Sequence, residues 1–459
     1  MSVTSILNKS LFACGSNRQS AEVSPDGSIF PDVNLEAAVR DALDKPTGQV
    51  QTSDLETLQT LIASDKAITD ITGLEQCRNL ERLILSRNII EDISPLTSLT
   101  NLTELRLEGN IMLSDISPLA NLSNLTVLLL NKNMITDISS IAGLTNLSEL
   151  WLSGNPVSDL SPLASLTNLK ILRLNNVKST DFSDLATLTN LTDLALDGNG
   201  ISDLSALGSL SNLKWLTLNN NRISDVSLLG SLSNLSWLYL SNNEITDISP
   251  LTSLTGLMWL YLEGNQIEDS SPFNSLTGLT ELVIERDPLT DISPLLALPN
   301  ADIRWVINLP DAILEEQIRQ HIYKPKGPLY IRDMAVLSTL NLSGRNISDL
   351  SGMEYCTNMK NLELNNNNIT DISPLASLTN ITRLSLDNNQ INDISALVHL
   401  TKIRYLSLVN NIITDIEPLV ENNSFDKWDS IDLTGNPLDA TSQDTYLPAL
   451  LELGVEVSW

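Results

Sequence analysis

Leucine and asparagine recur along most of the chain with a fixed spacing. From about Leu58 onward, the 22-residue pattern L-x-x-L-x-L-x-x-N-x-I-x-D-I-S-P-L-x-x-L-T-N recurs. The step from Asn110 to Asn133 is one position longer, and the last step, from Asn411 to Asn436, is also longer. The asparagines of the first series are Asn88, Asn110, Asn133, Asn155, Asn199, Asn221, Asn243 and Asn265, and those of the second are Asn367, Asn389, Asn411 and Asn436. Val177 takes the asparagine place in one repeat. This regularity predicts a fold that uses one short unit many times.

The L-x-L part of each repeat alternates with a period of two, which predicts a short β-strand with its leucines on one face. One repeat cannot bury its leucines alone, so the repeats are expected to stack and share a continuous core. Each buried leucine contributes on the order of 1.5–3 kcal/mol. We therefore predict an α/β solenoid of the leucine-rich repeat type. It is a right-handed superhelix with a curved parallel sheet on the concave face and short 3-10 or helical turns on the convex face.

Two polar columns of the repeat are explained by the needs of the backbone. A buried asparagine can both donate to and accept from backbone groups that lose their partners where the chain turns away from the strand. An aspartate before I-S-P-L, or a close variant, can cap a short helical turn. Single carboxylates one coil apart supply too few oxygens to bind calcium. The aspartates are Asp92, Asp137, Asp159, Asp203, Asp225, Asp247, Asp371, Asp393 and Asp415.

An internal duplication divides the chain into two arrays. Phe30-Pro31-Asp32 matches Leu309-Pro310-Asp311, and the same offset then holds without a gap to Cys77 and Cys356. Before each array, apolar residues at helical spacing predict a helix that covers the open end of the core. The predicted domains are a disordered leader or tether (1–29), a first helical cap (30–57), an array of about eleven coils (58–301), a second helical cap (302–336), and an array of about five coils with a C-terminal cap (337–459).

Charge and composition exclude several classes of function. The chain has 27 Lys and Arg against 56 Asp and Glu, a formal charge of −29, which disfavours nucleic acid and anionic membranes as partners. No stretch approaches the ~20 apolar residues of a transmembrane helix. The chain has only two histidines and no glycine-rich phosphate loop, nucleophile elbow or H-E-x-x-H motif. We therefore expect that the protein is not an enzyme and that it has no catalytic residue, metal or cofactor. Cys77 and Cys356 are expected to be small buried hydrophobic residues.

The start of the chain carries a second motif. Residues 11–16, L-F-A-C-G-S, resemble a bacterial lipoprotein processing box in which Cys14 is the lipidated residue. Phe12 and the polar residues before it fit that box poorly, so a chance match within a leader is the alternative. We therefore expect a location at the cell envelope or outside the cell, with the cytoplasm as the alternative.

The 22-residue D-I-S-P-L-x-x-L-T-N-L repeat, the helical cap and the G-L-E-x-C start resemble the bacterial internalin-like leucine-rich repeat proteins over roughly residues 30–459. The resemblance implies a helix-capped solenoid whose aromatic-rich concave face binds a protein ligand. This chain departs from the family in having two capped arrays. We expect neither an immunoglobulin-like module nor a wall-anchoring C-terminus, so no role in virulence is inferred.

The concave face is expected to carry the ligand site. Its outward positions lie six, four and two residues before each asparagine place. Because neighbouring strands lie ~4.8 Å apart, tryptophans at one position in three successive coils should form a contiguous ladder. The predicted ligand-binding residues are Trp151, Trp215, Trp237, Tyr239, Trp259, Tyr261, Glu263 and Tyr405.

Exposed aromatic clusters mark interaction sites, and Trp and Tyr are favoured in binding hot spots. The alternative is that the rings only stabilise the sheet, by ~0.5–1.5 kcal/mol per pair. An acidic rim would favour a basic partner, mainly through encounter rate and specificity. The rim consists of Glu263, Glu281 and Glu285, and further back of Asp193, Asp197, Glu104 and Glu108.

The sequence therefore predicts a monomeric, non-catalytic protein-interaction or adhesion module that binds a protein ligand, with a basic one favoured, on its concave aromatic face. Two alternatives stay open. One is a glycan-binding surface protein, because tryptophan faces can stack on sugar rings. The other is an intracellular regulatory scaffold, because similar 22-residue repeats occur in phosphatase-binding proteins.

Overall fold

The structure is a computed structural model that describes residues 29–285, 287–289, 291–298 and 300–459. Cys14 and all but the last residue of the predicted leader lie outside the described residues. The described chain forms two compact units. The first extends to Asn199 and includes Ser205–Leu213, and the second consists of Gly200–Leu204 and Lys214–Trp459.

The first unit begins with two helices and continues with seven parallel strands, each hydrogen-bonded to the next. The helices are α1 (Val33–Ala42) and α2 (Thr52–Leu55). The strands are β1 (Thr60–Ile62), β2 (Arg82–Ile84), β3 (Glu104–Arg106), β4 (Val127–Leu129), β5 (Glu149–Trp151), β6 (Ile171–Arg173) and β7 (Asp193–Ala195). Short 3-10 turns return the chain from strand to strand at Leu74–Gln76, Ser94–Ser98, Ser117–Leu119, Ser139–Ile141, Ser161–Ser165, Ser183–Thr187 and Ser205–Leu207.

The second unit begins with five parallel strands that also pair in chain order. They are β8 (Trp215–Thr217), β9 (Trp237–Tyr239), β10 (Trp259–Tyr261), β11 (Glu281–Val283) and β12 (Asp302–Arg304). The returns are 3-10 turns at Ser227–Ser231, Ser249–Ser253 and Ser271–Ser275 and the short helix α3 (Ser293–Leu296). Strand β12 falls within the range that we predicted for the second helical cap.

The rest of the second unit contains a helical segment and a second parallel sheet. The segment comprises β13 (Val306–Ile307), α4 (Ala312–His321), β14 (Leu329–Tyr330), which is antiparallel to β13, and α5 (Ile331–Ala335). The sheet has β15 (Thr339–Asn341), β16 (Asn361–Glu363), β17 (Arg383–Ser385), β18 (Tyr405–Ser407), β19 (Ser430–Asp432) and β20 (Glu456–Ser458). Between its strands lie 3-10 turns at Met353–Tyr355, Ser373–Ser377 and Ser395–His399, helix α6 (Glu417–Glu421), a π-helical turn at Ser442–Tyr446 and helix α7 (Leu447–Glu452).

These parallel strands with short helical returns confirm the predicted leucine-rich repeat solenoid. The leucines of the L-x-L motif are buried, as at Leu216, Leu238 and Leu260, where the exposed fraction is 0%. Cys77 and Cys356 are also buried, as predicted, and burial raises the pKa of each thiol to about 12.

The buried asparagines bridge successive coils, as the sequence predicted. The amide nitrogen of Asn155 donates to the carbonyls of Leu152 (2.9 Å) and Leu130 (2.8 Å), the second of which belongs to the preceding coil. Its amide oxygen accepts from the backbone nitrogen of Ile135 at 3.1 Å. Equivalent bonds are made by Asn88, Asn110, Asn243, Asn265, Asn367, Asn389 and Asn411. Each such side chain thus holds three backbone groups that would otherwise be buried without partners.

The aspartates of the repeated column lie at the starts of the short helical turns. The Asp92 carboxylate accepts from the backbone nitrogen of Ser94 at 2.7 Å, at the start of the turn that follows. This kind of bond lowers the pKa of the matching carboxyls in Asp137, Asp159 and Asp225. The predicted capping is confirmed at Asp92, Asp137, Asp159, Asp225, Asp247, Asp371, Asp393 and Asp415.

The duplication extends to individual hydrogen bonds. Asp32 caps α1, and its second carboxylate oxygen accepts from the backbone nitrogen of Thr69 in the first coil at 2.8 Å. Asp311 caps α4 and accepts from Ser348 in the same way at 2.9 Å. In each array, the carboxylate of a single aspartate therefore caps the first helix and also binds the backbone of the coil that follows.

We call the column of buried asparagines that bridge successive coils the asparagine ladder, and its positions the ladder places. Two asparagines of one array offer a test of this ladder. Asn155→Ala should lower the free energy of unfolding by about 3 kcal/mol, because several buried backbone groups lose partners at about 1–3 kcal/mol each. Asn168 is exposed and makes one bond to the carbonyl of Thr145, at 2.9 Å, so Asn168→Ala should cost only about 0.5–1.5 kcal/mol. Denaturant titration of both variants measures the difference. Equal losses would contradict a structural role that depends on burial.

Candidate binding site on the strand face

Five aromatic side chains occupy one outward face of β8, β9 and β10 in the second unit. Trp215, Trp237 and Trp259 lie opposite one another in the strand register, and Tyr239 lies opposite Tyr261. We call these five residues the aromatic patch. Their strand neighbours Leu216, Leu238 and Leu260 are buried in the core. Because side chains alternate along a strand, the rings point away from that core.

The rings of the aromatic patch contact one another across the strands. Tyr239 and Tyr261 are stacked, with ring centroids 4.5 Å apart and planes 30° apart. Trp237 and Trp259 meet edge to face at 6.3 Å. Trp215 packs on Tyr239 at 6.0 Å, so it joins the patch through a diagonal neighbour. The predicted ladder is therefore a two-row cluster. Trp259 is 37% exposed, and the other four rings are half-buried.

A carboxylate borders the aromatic patch on the next strand. The Tyr261 hydroxyl donates to Glu281 Oε1 at 2.6 Å, and Arg304 Nη2 lies 3.2 Å from the same oxygen. Burial and the Glu281 charge raise the pKa of the Tyr261 and Tyr239 hydroxyls. Glu281 is thus already paired within the protein, which reduces its share of the predicted acidic rim.

Arg304 is a site residue that the sequence analysis missed, because β12 lay within the range assigned to the second cap. A signal was available. Asp302-Ile303-Arg304 follows Glu281-Leu282-Val283 at nearly the usual coil spacing with the same alternation, and the two segments pair in register. The Arg332 guanidinium lies 2.5 Å from the Asp302 carboxylate, which ties α5 to this edge strand.

The remaining rim residues differ in how far they are neutralised. Glu263 and Glu285 are half-buried and follow strands β10 and β11. Glu285 interacts with the Tyr330 hydroxyl. In the first unit, Glu104 is paired with Arg82 (2.7 Å) and Arg106 (2.5 Å). Paired carboxylates of this kind contribute little net charge to a rim. The other predicted rim residues of the first unit are Glu108, Asp193 and Asp197.

Two predicted site residues are not part of the aromatic patch. Trp151 lies in β5 of the first unit, opposite Leu129 and Arg173, and is half-buried. Tyr405 lies in β18, in the separate sheet β15–β20, with the Arg383 guanidinium 3.9 Å from its ring centroid. Their outward strand positions are as predicted, whereas a role in ligand binding stays a prediction for every residue named.

Asp287 takes the asparagine place in the coil after the aromatic patch. Its Oδ1 accepts from the Ile267 backbone nitrogen at 3.2 Å. Within the described residues, its buried Oδ2 has no hydrogen-bond partner, where an asparagine would present its amide donor. Burial raises the pKa of this carboxyl to about 7, against the opposing effect of backbone hydrogen bonds from Ile267, Asn265 and Gly264. Glu263 adds to the rise.

Two further properties bear on what the protein can do. Across the described ranges, every helix is too short or too polar to cross a bilayer. The same residues contain no group of three His, Cys, Asp or Glu side chains placed to hold a metal ion.

Sequence-family models match most of the coils. The family described as "Leucine Rich repeats (2 copies)" matches residues 56–98, 78–121, 123–165, 145–187, 336–377 and 357–399. The family described as "Leucine rich repeat" matches residues 189–245 and 211–267. Together they span more than half of the chain, which therefore belongs to the leucine-rich repeat family.

Among leucine-rich repeat proteins, the chain is internalin-like. An internalin (InlF) from Listeria monocytogenes is 31% identical in sequence. That match covers 87% of this chain and 95% of that one, with a TM-score of 0.47. The functional domain of InlJ from Listeria monocytogenes is 24% identical over 88% of this chain and 80% of that one, with a TM-score of 0.54.

A leucine-rich repeat protein of Leptospira interrogans is 20% identical over 89% of this chain and 97% of that one, with a TM-score of 0.47. No curated protein matches the chain. Leucine-rich repeat proteins mediate protein–protein interactions and are generally non-enzymatic binding modules.

The carboxyl of Asp287 predicts a pH-dependent stability. The folded form keeps this proton up to about pH 7, whereas the unfolded chain releases it near the ordinary value of 3.8. The folded state therefore binds more protons between these values, and the free energy of unfolding should fall as the pH rises from about 4 to 7, then level off. Asp287→Asn restores the amide donor, so it should raise stability at pH 8 by about 1–3 kcal/mol and remove this component.

Denaturant titrations of the wild type and Asp287→Asn at pH 5 and pH 8 measure both effects. A variant that is destabilised at pH 8, or one that keeps the full pH dependence of the wild type, would contradict this account of Asp287.

Proposed function

We propose that this protein is a non-catalytic binding protein that holds a protein ligand on the aromatic patch. The proposal rests on one observation: five Trp and Tyr rings form a single partly exposed cluster on three adjacent strands. The whole chain has only 7 Trp and 7 Tyr. Trp and Tyr supply much of the binding energy in protein interfaces because they bury large areas with little loss of side-chain freedom.

Stabilisation of the sheet explains only part of this cluster. The rings do contact one another, and each such pair is worth about 0.5–1.5 kcal/mol. However, β2 and β3 present Arg82, Arg106 and Glu104 at the matching outward positions, so the coil does not need aromatic residues there. Trp259 also keeps more than a third of its surface exposed. The concentration of rings in three coils is better explained by a ligand than by the sheet.

The surroundings of the aromatic patch favour a ligand with apolar and basic groups. Glu263 and Glu285 lie beside the rings, while Glu281 is engaged by Arg304 and Tyr261. A basic side chain of the ligand near Glu263 would lie over the aromatic faces, where cations are attracted. The net negative charge of the whole chain increases the association rate with a basic partner.

The internalin likeness supports binding of a protein rather than catalysis, and it supports a location at the cell envelope or outside the cell. The lipoprotein-like box at Cys14 adds support for the envelope. A monomer is in keeping with a strand face that is left open for a ligand.

Tryptophan substitutions test the proposal. Affinity capture from a relevant extract should retain a partner on the wild type and lose it on the Trp215→Ala/Trp237→Ala/Trp259→Ala variant. With that partner purified, Trp237→Ala alone should weaken binding by about 2–4 kcal/mol, as truncated hot spots do, while the melting temperature shifts little. Trp428 is exposed in the same unit but outside the patch, so Trp428→Ala is the matched control.

An unchanged affinity of Trp237→Ala would reduce the aromatic patch to a stabilising cluster. Titration of the wild type with a panel of glycans, followed by tryptophan fluorescence, distinguishes a glycan ligand from a protein ligand. Saturable quenching by a sugar at micromolar concentration, lost in the triple variant, would show a carbohydrate ligand in place of a protein.

A further inference from the structure

Four large apolar side chains are exposed on three successive loops of the first unit, away from the strand face. Each loop follows a ladder asparagine, namely Asn88, Asn110 or Asn133. We call these four residues the loop patch. Their exposed fractions are 49% for Ile89, 65% for Ile111, 50% for Met112 and 55% for Met134.

The loops of the patch are stacked in register. Strands β2, β3 and β4 pair in parallel just before them. The backbone nitrogen of Ile90 donates to Oδ1 of Asn110 in the next coil at 3.1 Å. The backbone nitrogen of Met134 donates to the carbonyl of Leu113 in the preceding coil at 2.8 Å. Loops held in this way repeat at the coil spacing of about 4.8 Å. The exposed side chains therefore form one contiguous surface.

The centre of the loop patch is the one-residue insertion in the coil between Asn110 and Asn133. The backbone nitrogen of Leu113 donates to the carbonyl of Asn110 at 2.8 Å, which closes a turn with Ile111 and Met112 at its central positions. Such positions usually carry Gly, Pro, Asn, Asp or Ser, which suit the turn backbone and water. Ile and Met are neither required by the turn nor buried by it.

The insertion also weakens the asparagine ladder. In regular coils, the second residue after the asparagine donates to the next asparagine, as Ile90 does to Asn110 and Ile135 to Asn155, each at 3.1 Å. In the inserted coil, Leu113 makes its bond within the turn. Among the described residues, the buried Oδ1 of Asn133 is left without a partner. The inserted coil thus gives up a stabilising bond and displays two apolar side chains, a combination that binding explains and folding does not.

The fold itself does not require apolar residues at this loop position. Elsewhere the residue after the ladder place is usually polar, as in Lys178, Arg222, Glu244, Gln266, Asn368 and Gln390. Ile412 is a large apolar residue at this place in the second unit, at 52% exposure. It stands alone, without apolar equivalents in the two coils before it.

Basic residues flank the loop patch in this otherwise acidic chain. Arg87 and Lys132 are exposed directly before Asn88 and Asn133, and Lys66 is exposed at the ladder place of the preceding coil. Asp65 is paired with Arg87, and Glu91 is an exposed carboxylate near Ile89. These cations contrast with the formal charge of −29 for the whole chain.

Asp92, Asp115 and Asp137 are exposed further along the three loops, where they cap the turns that follow. The cations therefore border the loop patch only on the side that comes directly after the strands. A complementary ligand has apolar side chains with carboxylates on that side.

We propose that the loop patch is a second docking surface, which binds a protein segment that carries large apolar residues flanked by Asp or Glu. Ile111 and Met112 at the tip of the inserted turn, with Ile89 and Met134 on either side, supply the apolar contact. Lys66 and Lys132 attract the carboxylates. This surface belongs to the first unit and differs in charge preference from the aromatic patch, so neither proposal depends on the other.

A random short-peptide display library, selected on the full chain, tests the proposal. Peptides are counter-selected against the Ile111→Ser/Met112→Ser/Met134→Ser variant, so that only binders that need the loop patch remain. These peptides should combine Leu, Ile, Phe or Met with an excess of Asp and Glu over Lys and Arg. Their dissociation constants should rise about tenfold or more in the triple variant and also rise with salt.

The controls separate this surface from others. Ile412→Ser changes the same loop position at similar exposure in the second unit, and Trp237→Ala changes the aromatic patch. Both should leave the affinity of the selected peptides unchanged. Lys66→Gln/Lys132→Gln should weaken binding and reduce its salt dependence.

Three results would overturn the proposal. The first is that no selected peptide depends on the loop patch, or that the dependent peptides are basic. The second is binding to phosphatidylglycerol vesicles that the triple serine variant loses, which would assign the surface to a membrane. The third is a concentration-dependent dimer in sedimentation that the same variant abolishes, which would assign it to a second copy of the chain.

Discussion

A buried asparagine amide holds each regular coil of this protein to the coil before it. At Asn155, the amide nitrogen donates to one carbonyl of its own coil and one of the preceding coil, and the amide oxygen accepts a backbone nitrogen. These groups lie where the chain leaves the strand and cannot bond in a sheet, so the amide supplies partners that the stacked backbone would otherwise lack. The leucines supply the hydrophobic stabilisation, but they do not by themselves fix which residue faces which. The strand hydrogen bonds set that register, and the amide reinforces it, because in the regular coils its bonds join positions at a constant separation along the chain.

Two surfaces follow from that register. Side chains that are far apart in sequence become neighbours, so tryptophans and tyrosines of three coils form the aromatic patch. Hydrophobic residues after the ladder place in three earlier coils form the loop patch. Two departures from the ladder lie close to these surfaces. Asp287 replaces the asparagine in the coil after the aromatic patch, and the Asn133 amide oxygen lacks a described partner beside the loop patch. Reduced stability at these coils is in keeping with residues retained for binding.

The periodic features could be predicted from the sequence, whereas the non-periodic ones could not. The columns of leucine, asparagine and aspartate predicted the core, the ladder and the caps, because each column repeats one physical requirement. Strand β12 was missed because the pattern breaks at Asp287-Pro288, and Arg304 was missed with it. The packing of Trp215 on Tyr239 depends on side-chain torsions that spacing does not determine. The exposure of Ile111 and Met112 needed the turn geometry, although the longer step after Asn110 marked their position.

Disulfide cross-linking measures the register directly. In a chain whose own cysteines are replaced, Trp237→Cys and Trp259→Cys should form an intramolecular disulfide on mild oxidation. Their Cα atoms lie opposite each other on neighbouring strands about 4.8 Å apart, within the range of about 4.4–6.8 Å that a disulfide spans. Trp237→Cys with Leu260→Cys should stay reduced, because the second thiol faces the leucine core. Cross-linking of the second pair and not of the first would mean that the coils are out of register, and the aromatic patch would not exist.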